Sequence, residues 1–585
     1  MAGLAALLCT LFGGCAFAPA RALAPALAHV PASTTATNPH ELVSIIQDDP
    51  QLLRNPAATL LRFRQLGAQQ VRVAVRWYYI APDPNSFRAP ARFNAANPAS
   101  YSNAGWAPYD AIVRDATADG IEVNFNVVGG APLWATGGGM PKLAKSQGYP
   151  FYQWEPSSFA FWQFMQALGT RYSGNYNPQA RRIERDNRND LPRVSFWSIW
   201  NEPDYGPSLA PQALPGHPGV PDSPRMYRGL VDAAWSALRL TGHGSDGFLF
   251  GELAPRATPQ AFGDFNGMLP TTFVQSLYCL GSNYQPLRGT AAALQGCPTT
   301  AAGTRAFVAQ NPGLFKATGF SDHAYMRWFP PNDEQNFNSG AVPVPYPSNV
   351  WAQLVRGFTS LGTIGNLSSM LKRSLAAYGW HKQLMIWNTE FGYITSPPKK
   401  PNKVNADPYI PPATAAYYDN WAEYLSWKNP QMASFEQYLM EDPLPALQSN
   451  NYGGFASGLL FYGGRQKAGY AAWRLPIFLP NTTASSPRRP LEVWGDVRPA
   501  YYADVDNPYS SVQSAELLFE PHSHGRWILL EAVTVTNPDG YFEVPVRFPS
   551  SGTLIIRWYY PADDKLFGSA AGAAVFSRPV QVTVK

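Results

Sequence analysis

Between about residues 40 and 480, short apolar runs rich in β-branched and aromatic residues alternate with longer segments of helical periodicity. The apolar runs predict eight strands, at 42–47, 70–76, 121–127, 194–200, 248–251, 319–323, 383–388 and 433–439. Helical patterns fall between them, at 57–66, 158–172, 226–240, 350–378 and 413–427. Repeated strand–helix units of this kind build a parallel sheet, and eight of them close into a barrel. An open doubly wound sheet competes with that topology, but no glycine-rich phosphate loop follows the first strand.

After Pro480 the helical period vanishes. Residues 481–490 (NTTASSPRRP) read as a polar linker, and alternating strands follow at 527–533, 552–560 and 580–584. Turn signals separate these strands, at Asn537-Pro538-Asp539-Gly540 and Pro549-Ser550-Ser551-Gly552. The expected fold class is therefore α/β. A (β/α)8 TIM barrel over 38–480 is joined to an immunoglobulin-like β-sandwich domain over 491–585.

Composition narrows the partners. The chain has 585 residues, of which 45% are hydrophobic and 15% charged, so a large core is available. Its formal charge is only +5, with no basic run, and nucleic acid is not an expected partner. The 18 Trp, 30 Tyr and 32 Phe can fill such a core or line a cleft, and composition alone does not choose.

Residues 1–28 read as a signal peptide with an apolar stretch at 4–18 and small-residue cleavage sites, although the segment before it carries no Lys or Arg. Lipidation at Cys15 is the variant reading. No later stretch is long and apolar enough to span a membrane, so the expected location is extracellular or cell-envelope, as a monomer. Cys279 and Cys297, the two cysteines outside the leader, fit one disulfide in an exported protein.

Two carboxylates stand where a barrel gathers its chemistry, just beyond the C-terminal ends of strands. Glu202 follows the fourth strand in Trp200-Asn201-Glu202-Pro203, and Glu390 follows the seventh in Asn388-Thr389-Glu390-Phe391-Gly392. Cleavage of a glycosidic bond needs two such groups, one protonated toward the leaving oxygen and the other ionised. With these motifs the sequence resembles clan A of the retaining glycoside hydrolases, nearest to families 39 and 5 and to secreted members of actinobacterial type.

The resemblance implies that Glu202 is the acid/base and Glu390 the nucleophile, about 5–5.5 Å apart. It also implies that Arg72 supports the nucleophile and that Asn201 bonds the sugar 2-hydroxyl. Tyr325 would donate to Glu390, His323 would bind sugar or steady the acid/base, and Trp134 would face a subsite. Trp77, Trp328 and Trp473 are looser candidates, each weighed against simple packing.

The chain departs from the family pattern at the end of the eighth strand, where no tryptophan stands. Gln437 or Glu441 is expected to contact substrate there instead. No cofactor or metal is expected, because His522, His524, Asp504 and Asp506 lack the rest of a ligand set. The partner implied is a carbohydrate substrate, cleaved by double displacement. Two other readings use the same residues: a catalytically silent polysaccharide-binding protein of the cell envelope, and a transglycosylase.

Overall fold

A computed structural model describes residues 41–140, 153–179, 189–255, 263–334, 355–396, 409–444, 455–506, 512–523, 525–561 and 572–585. The leader, Cys15 and His524 lie outside the described residues. Eight parallel strands close into a barrel: β1 (Val43–Gln47), β2 (Gln70–Arg76), β3 (Glu122–Val128), β4 (Phe196–Ile199), β5 (Gly247–Leu253), β6 (Gly319–Asp322), β7 (Met385–Asn388) and β8 (Met432–Tyr438). The ring is completed by β8 pairing with β1, Ile45 opposite Glu436.

The alternation along these strands explains the barrel's interior. Val71, Val73 and Val75 of β2, Val123, Phe125 and Val127 of β3, and Trp197 and Ile199 of β4 join the large core beneath the helices. The alternate positions point inward. Low in the barrel Ile45, Leu249 and Trp387 form a separate apolar plug with Phe196 and Met385 packed on it. Further inward positions are polar: Gln47, Arg72, Asn126, Ser198 and Glu436 are all buried. A barrel whose inner column carries charge beneath its mouth is built to hold a site there.

Helix ends follow ordinary capping. Asn55 accepts from Ala58 N ahead of helix Pro56–Gln65, and Ser157 accepts from Ala160 N ahead of Ser158–Arg171. The helix expected over 350–378 is shorter in the described residues, Ile364–Ala376, preceded by a 3-10 turn at Leu361–Thr363. β4 ends at Ile199 rather than at Trp200, which takes a positive φ of 69° and leaves the ladder. No helix among the described residues is long and apolar enough to cross a membrane.

The C-terminal strands form two sheets. One runs β10 (Thr483–Ala484), β17 (Val580–Val584), β15 (Gly552–Tyr559), β12 (Ser514–Pro521) and β13 (Ile528–Thr534), with β16 (Ala574–Phe576) beside β15. The other runs β14 (Tyr541–Val546), β11 (Leu491–Asp496) and β9 (Ile477–Phe478). The stretch read as a linker is thus no bare connection, because β10 lies within it and pairs with the last strand.

This domain docks on the end of the barrel where the strands begin. Asp539 accepts from Leu42 N (3.2 Å) and Gln69 Nε2 (2.6 Å), just ahead of β1 and β2. Buried Arg498 donates to Glu423 (2.6 Å) and to the Trp473 carbonyl (2.9 Å), and Tyr541 donates to the same Glu423 (2.9 Å). These bonds tie barrel helix Pro412–Lys428 to the β-domain, on the side opposite the strand ends that carry Glu202 and Glu390.

Candidate active site

The loop after β4 turns sharply. Trp200 and Glu202 both have positive φ, 69° and 41°, and Glu202 N donates to the carbonyl of Glu252 (2.8 Å). Non-glycine residues held in this region are costly and concentrate at working sites. The turn lifts Glu202 toward the barrel axis. Glu390 arrives from the end of β7, and its carboxylate meets that of Glu202: one oxygen from each, together with a His323 ring nitrogen, all lie within 4.8 Å of one another. Both acids keep partial contact with solvent, their side chains 22% and 13% exposed.

Beneath the pair sits a buried charge network. Arg72, wholly buried on β2, donates from Nη1 to Glu390 Oε1 (2.8 Å) and also to Gln47. Its Nη2 donates to Glu252 Oε2 (2.7 Å) and to Asn201 Oδ1 (3.3 Å). Tyr325 OH donates to Glu390 Oε2 (3.1 Å), so each oxygen of this carboxylate has a donor. His323 is also fully buried, with Nδ1 3.1 Å from Glu202 Oε1 and Nε2 2.8 Å from Glu252 Oε2. A ring with a carboxylate at each nitrogen is satisfied only when both nitrogens carry protons. Burial opposes that charge, yet Glu390, Glu202 and Glu252 hold the imidazole well above its ordinary range.

Sequence reasoning missed Glu252. Along β5 the period of two turns Leu249 inward and would send residue 252 outward. The register shifts between Gly251 and Leu253, and Glu252 takes φ 50°, which swings the carboxylate into the barrel. Burial alone would raise this carboxyl. Arg72 and His323, with a bond from Ser198, bring it down to about 2 instead, and Thr389 also donates to it (2.9 Å). Two neighbouring acids go the other way: burial pushes Asp322 up to about 8, and pushes Glu436, whose two oxygens have no hydrogen-bond donor among the described residues, well above the carboxylate range.

Over the network opens a cavity of about 510 Å³. Glu202, Glu390, Asn201 and Tyr325 line it, and of the looser candidates Trp328 does too. Its aromatic wall was not foreseen: Tyr438 from the end of β8 and the exposed ring of Phe455 lie 5.5 Å apart, centroid to centroid, and Phe455 is 5.0 Å from Tyr325. Only tertiary folding brings these rings together, so no local motif announces them.

Several expected residues lie elsewhere. Trp134 does not line the cavity: its Nε1 donates to the Pro82 carbonyl (3.0 Å), and its ring packs edge-on to Trp77 and Phe93. Trp77 is stacked on Phe164 in the core, and Trp473 lies under the Arg498 guanidinium. Nor do Gln437 and Glu441 reach the cavity. The Gln437 amide donates to the carbonyls of Leu439 and Ser457, and Glu441 accepts from Gly463 N (3.0 Å). Cys279 and Cys297 are joined in a disulfide outside the barrel.

The spacing of Glu202, His323 and Glu390 is one that a metal ion could use. The chemistry of the set argues against it. Both His323 nitrogens already face carboxylates, at Glu202 and Glu252, and Arg72 already supplies positive charge to Glu390.

No protein-family model matches the chain, and no curated protein matches it. Solved structures do resemble it. A family 39 glycoside hydrolase from Bacteroides cellulosilyticus WH2 is 14% identical, with 87% of this chain and 79% of that one covered at a TM-score of 0.40. A family 51 α-L-arabinofuranosidase from Bifidobacterium longum is 13% identical, covering 88% and 92% at 0.37. A family 1 β-glucosidase from Thermotoga maritima is 12% identical, covering 75% and 98% at 0.39. All three are glycoside hydrolases. Likeness at this level is slight, and the barrel rests on the strand pairing itself.

Proposed function

We propose that the chain is a retaining O-glycoside hydrolase acting on an oligo- or polysaccharide outside the cytoplasm. One observation carries the reading: two partly exposed carboxylates from β4 and β7 approach within 4.8 Å over a cavity, one of them bonded by Arg72 and Tyr325. The spacing suits direct attack on an anomeric carbon. An inverting enzyme needs carboxyls roughly 6.5–9.5 Å apart to admit water between them.

In the first step Glu390, paired with Arg72, attacks the anomeric carbon. Glu202 gives its proton to the departing oxygen. His323 donates to Glu202 Oε1, which leaves Oε2 as the oxygen that carries the transferable proton. In the second step the Glu202 carboxylate takes a proton from water, and the water displaces Glu390 with net retention. Asn201, its carbonyl oxygen turned to Arg72, keeps its amide nitrogen for a sugar hydroxyl. Tyr438, Phe455 and Trp328 offer rings to the C–H faces of the sugar. Export fits the Cys279–Cys297 disulfide, which oxidising compartments preserve.

The test is turnover of a panel of aryl glycosides and polysaccharides by the wild type and by Glu390→Ala and Glu202→Ala. The expected result is loss of turnover in the first. In the second, loss should be greatest with poor leaving groups, and azide should restore activity. Full activity in both variants would end the reading, and glycan binding without release of reducing ends would favour the silent binder.

A further inference from the structure

Glu252 makes four hydrogen bonds with side chains and reaches no solvent. Two of its partners, Arg72 and His323, each continue to a different member of the carboxylate pair. Arg72 runs from Glu252 to Glu390 (2.7 and 2.8 Å). His323 runs from Glu252 to Glu202 (2.8 and 3.1 Å), with Glu390 3.5 Å from the same nitrogen. Thr389, which donates to Glu252, immediately precedes Glu390, and the Glu252 carbonyl accepts from Glu202 N. One residue therefore touches both arms of the site from below, by side chain and by backbone.

We propose that Glu252 is a positioning residue for the glycosidic reaction, the shared anchor that aims Arg72 at Glu390 and His323 at Glu202. The proposal rests on the glycosidase reading above and deepens it. With Asp322 and Glu436 kept protonated by burial, the charged groups around His323 are Arg72, Glu202, Glu252 and Glu390. Two cations then face three carboxylates. When Glu202 carries its proton the network is neutral, which is the state a resting acid requires. Without the Glu252 charge, His323 loses its anion at Nε2 and one of the carboxylates that favour its protonated form, Glu390 and Glu202 remaining at Nδ1. Arg72 also loses one of its two carboxylate partners. The carboxylates would stay in the cavity while their relative aim drifts, and misplacement by about 1 Å costs ~10²-fold in rate.

The experiment is Glu252→Gln, which keeps shape and removes charge, read by steady-state kinetics and by 15N NMR of histidine-labelled protein with His323 assigned by its own replacement. The expected result is a ~10²-fold fall in kcat with KM changed less than about threefold. In the wild type the His323 nitrogens should show imidazolium shifts at pH 8. In the variant the ring should lose its second proton at a lower pH than in the wild type. A kcat within threefold of the wild type, or a His323 titration that does not move, would overturn the proposal. If Glu252→Gln does not fold, the wild-type spectrum decides alone, and a neutral His323 at pH 8 overturns it. Turnover that survives Glu390→Ala would sink the glycosidase reading. Turnover lost in Glu390→Ala but intact in Glu252→Gln would sink only this one.

Discussion

Replacing Arg72 with Met removes the cation on which the buried network turns while leaving a chain of similar length. Arg72 contacts Glu252, Glu390, Asn201 and Gln47, and both its own side chain and that of Glu252 are fully buried. The displacement of the Glu252 carboxyl from 4.5 to about 2 corresponds to about 3 kcal/mol. Stranding a buried carboxylate costs about 3–5 kcal/mol by independent measure, so the two figures agree. The sign follows from the direction. A carboxyl held below its unfolded value stabilises the fold fully above that value, near 4.5, and the contribution fades as the pH falls toward 2. Urea unfolding of wild type and Arg72→Met at pH 7, 5 and 3.5 should therefore show a gap of about 3 kcal/mol at neutral pH that narrows at the lowest. A neutral-pH gap under 1 kcal/mol, or one that stays constant as the pH falls, would refute the reasoning.

Other outcomes are open to equally direct measurement. Tyr325→Phe removes one of the two side-chain donors to Glu390 and should lower kcat roughly 10–10²-fold while the melting temperature holds; unchanged kcat would remove Tyr325 from the site. Trp134→Phe should leave KM for every substrate unchanged, since the ring is bonded to Pro82 away from the cavity, and a several-fold rise in KM would reinstate it as a subsite. Reducing the Cys279–Cys297 bond, which closes 18 positions of chain, should cost about 3 kcal/mol in denaturant unfolding with the kcat of the folded enzyme preserved. Arg498→Met strands Glu423 at the docking face and should destabilise barrel and β-domain together by about 3–5 kcal/mol. Separate melting of the two parts in the wild type would contradict so tight a dock.

How much the sequence reveals depends on how local each signal is. The strands were legible because their outward faces, Val71-x-Val73-x-Val75 for one, are apolar runs bounded by turns. Glu202 and Glu390 were legible because each directly follows such a run. Glu252 was not. It sits one residue past the predicted end of its strand, on the face that the period assigns to the helices, and only a register shift turns it in. Trp134 misled for the opposite reason: a familiar motif fixes its place in the chain, but the Pro82 carbonyl and two rings fix its direction. The same holds at the end of β8. The sequence shows no tryptophan there, and the side chains that line the cavity are Tyr438 and Phe455 from a following loop, not the polar Gln437 or Glu441.

The most direct measurement is the configuration of the first sugar released, followed by 1H NMR of the anomeric proton before mutarotation. Carboxylate oxygens within 4.8 Å of each other fit the roughly 5–5.5 Å separation of retaining pairs better than the wider spacing of inverting ones, so the product should appear with the anomeric configuration of the substrate. First appearance of the opposite anomer would contradict a nucleophilic Glu390.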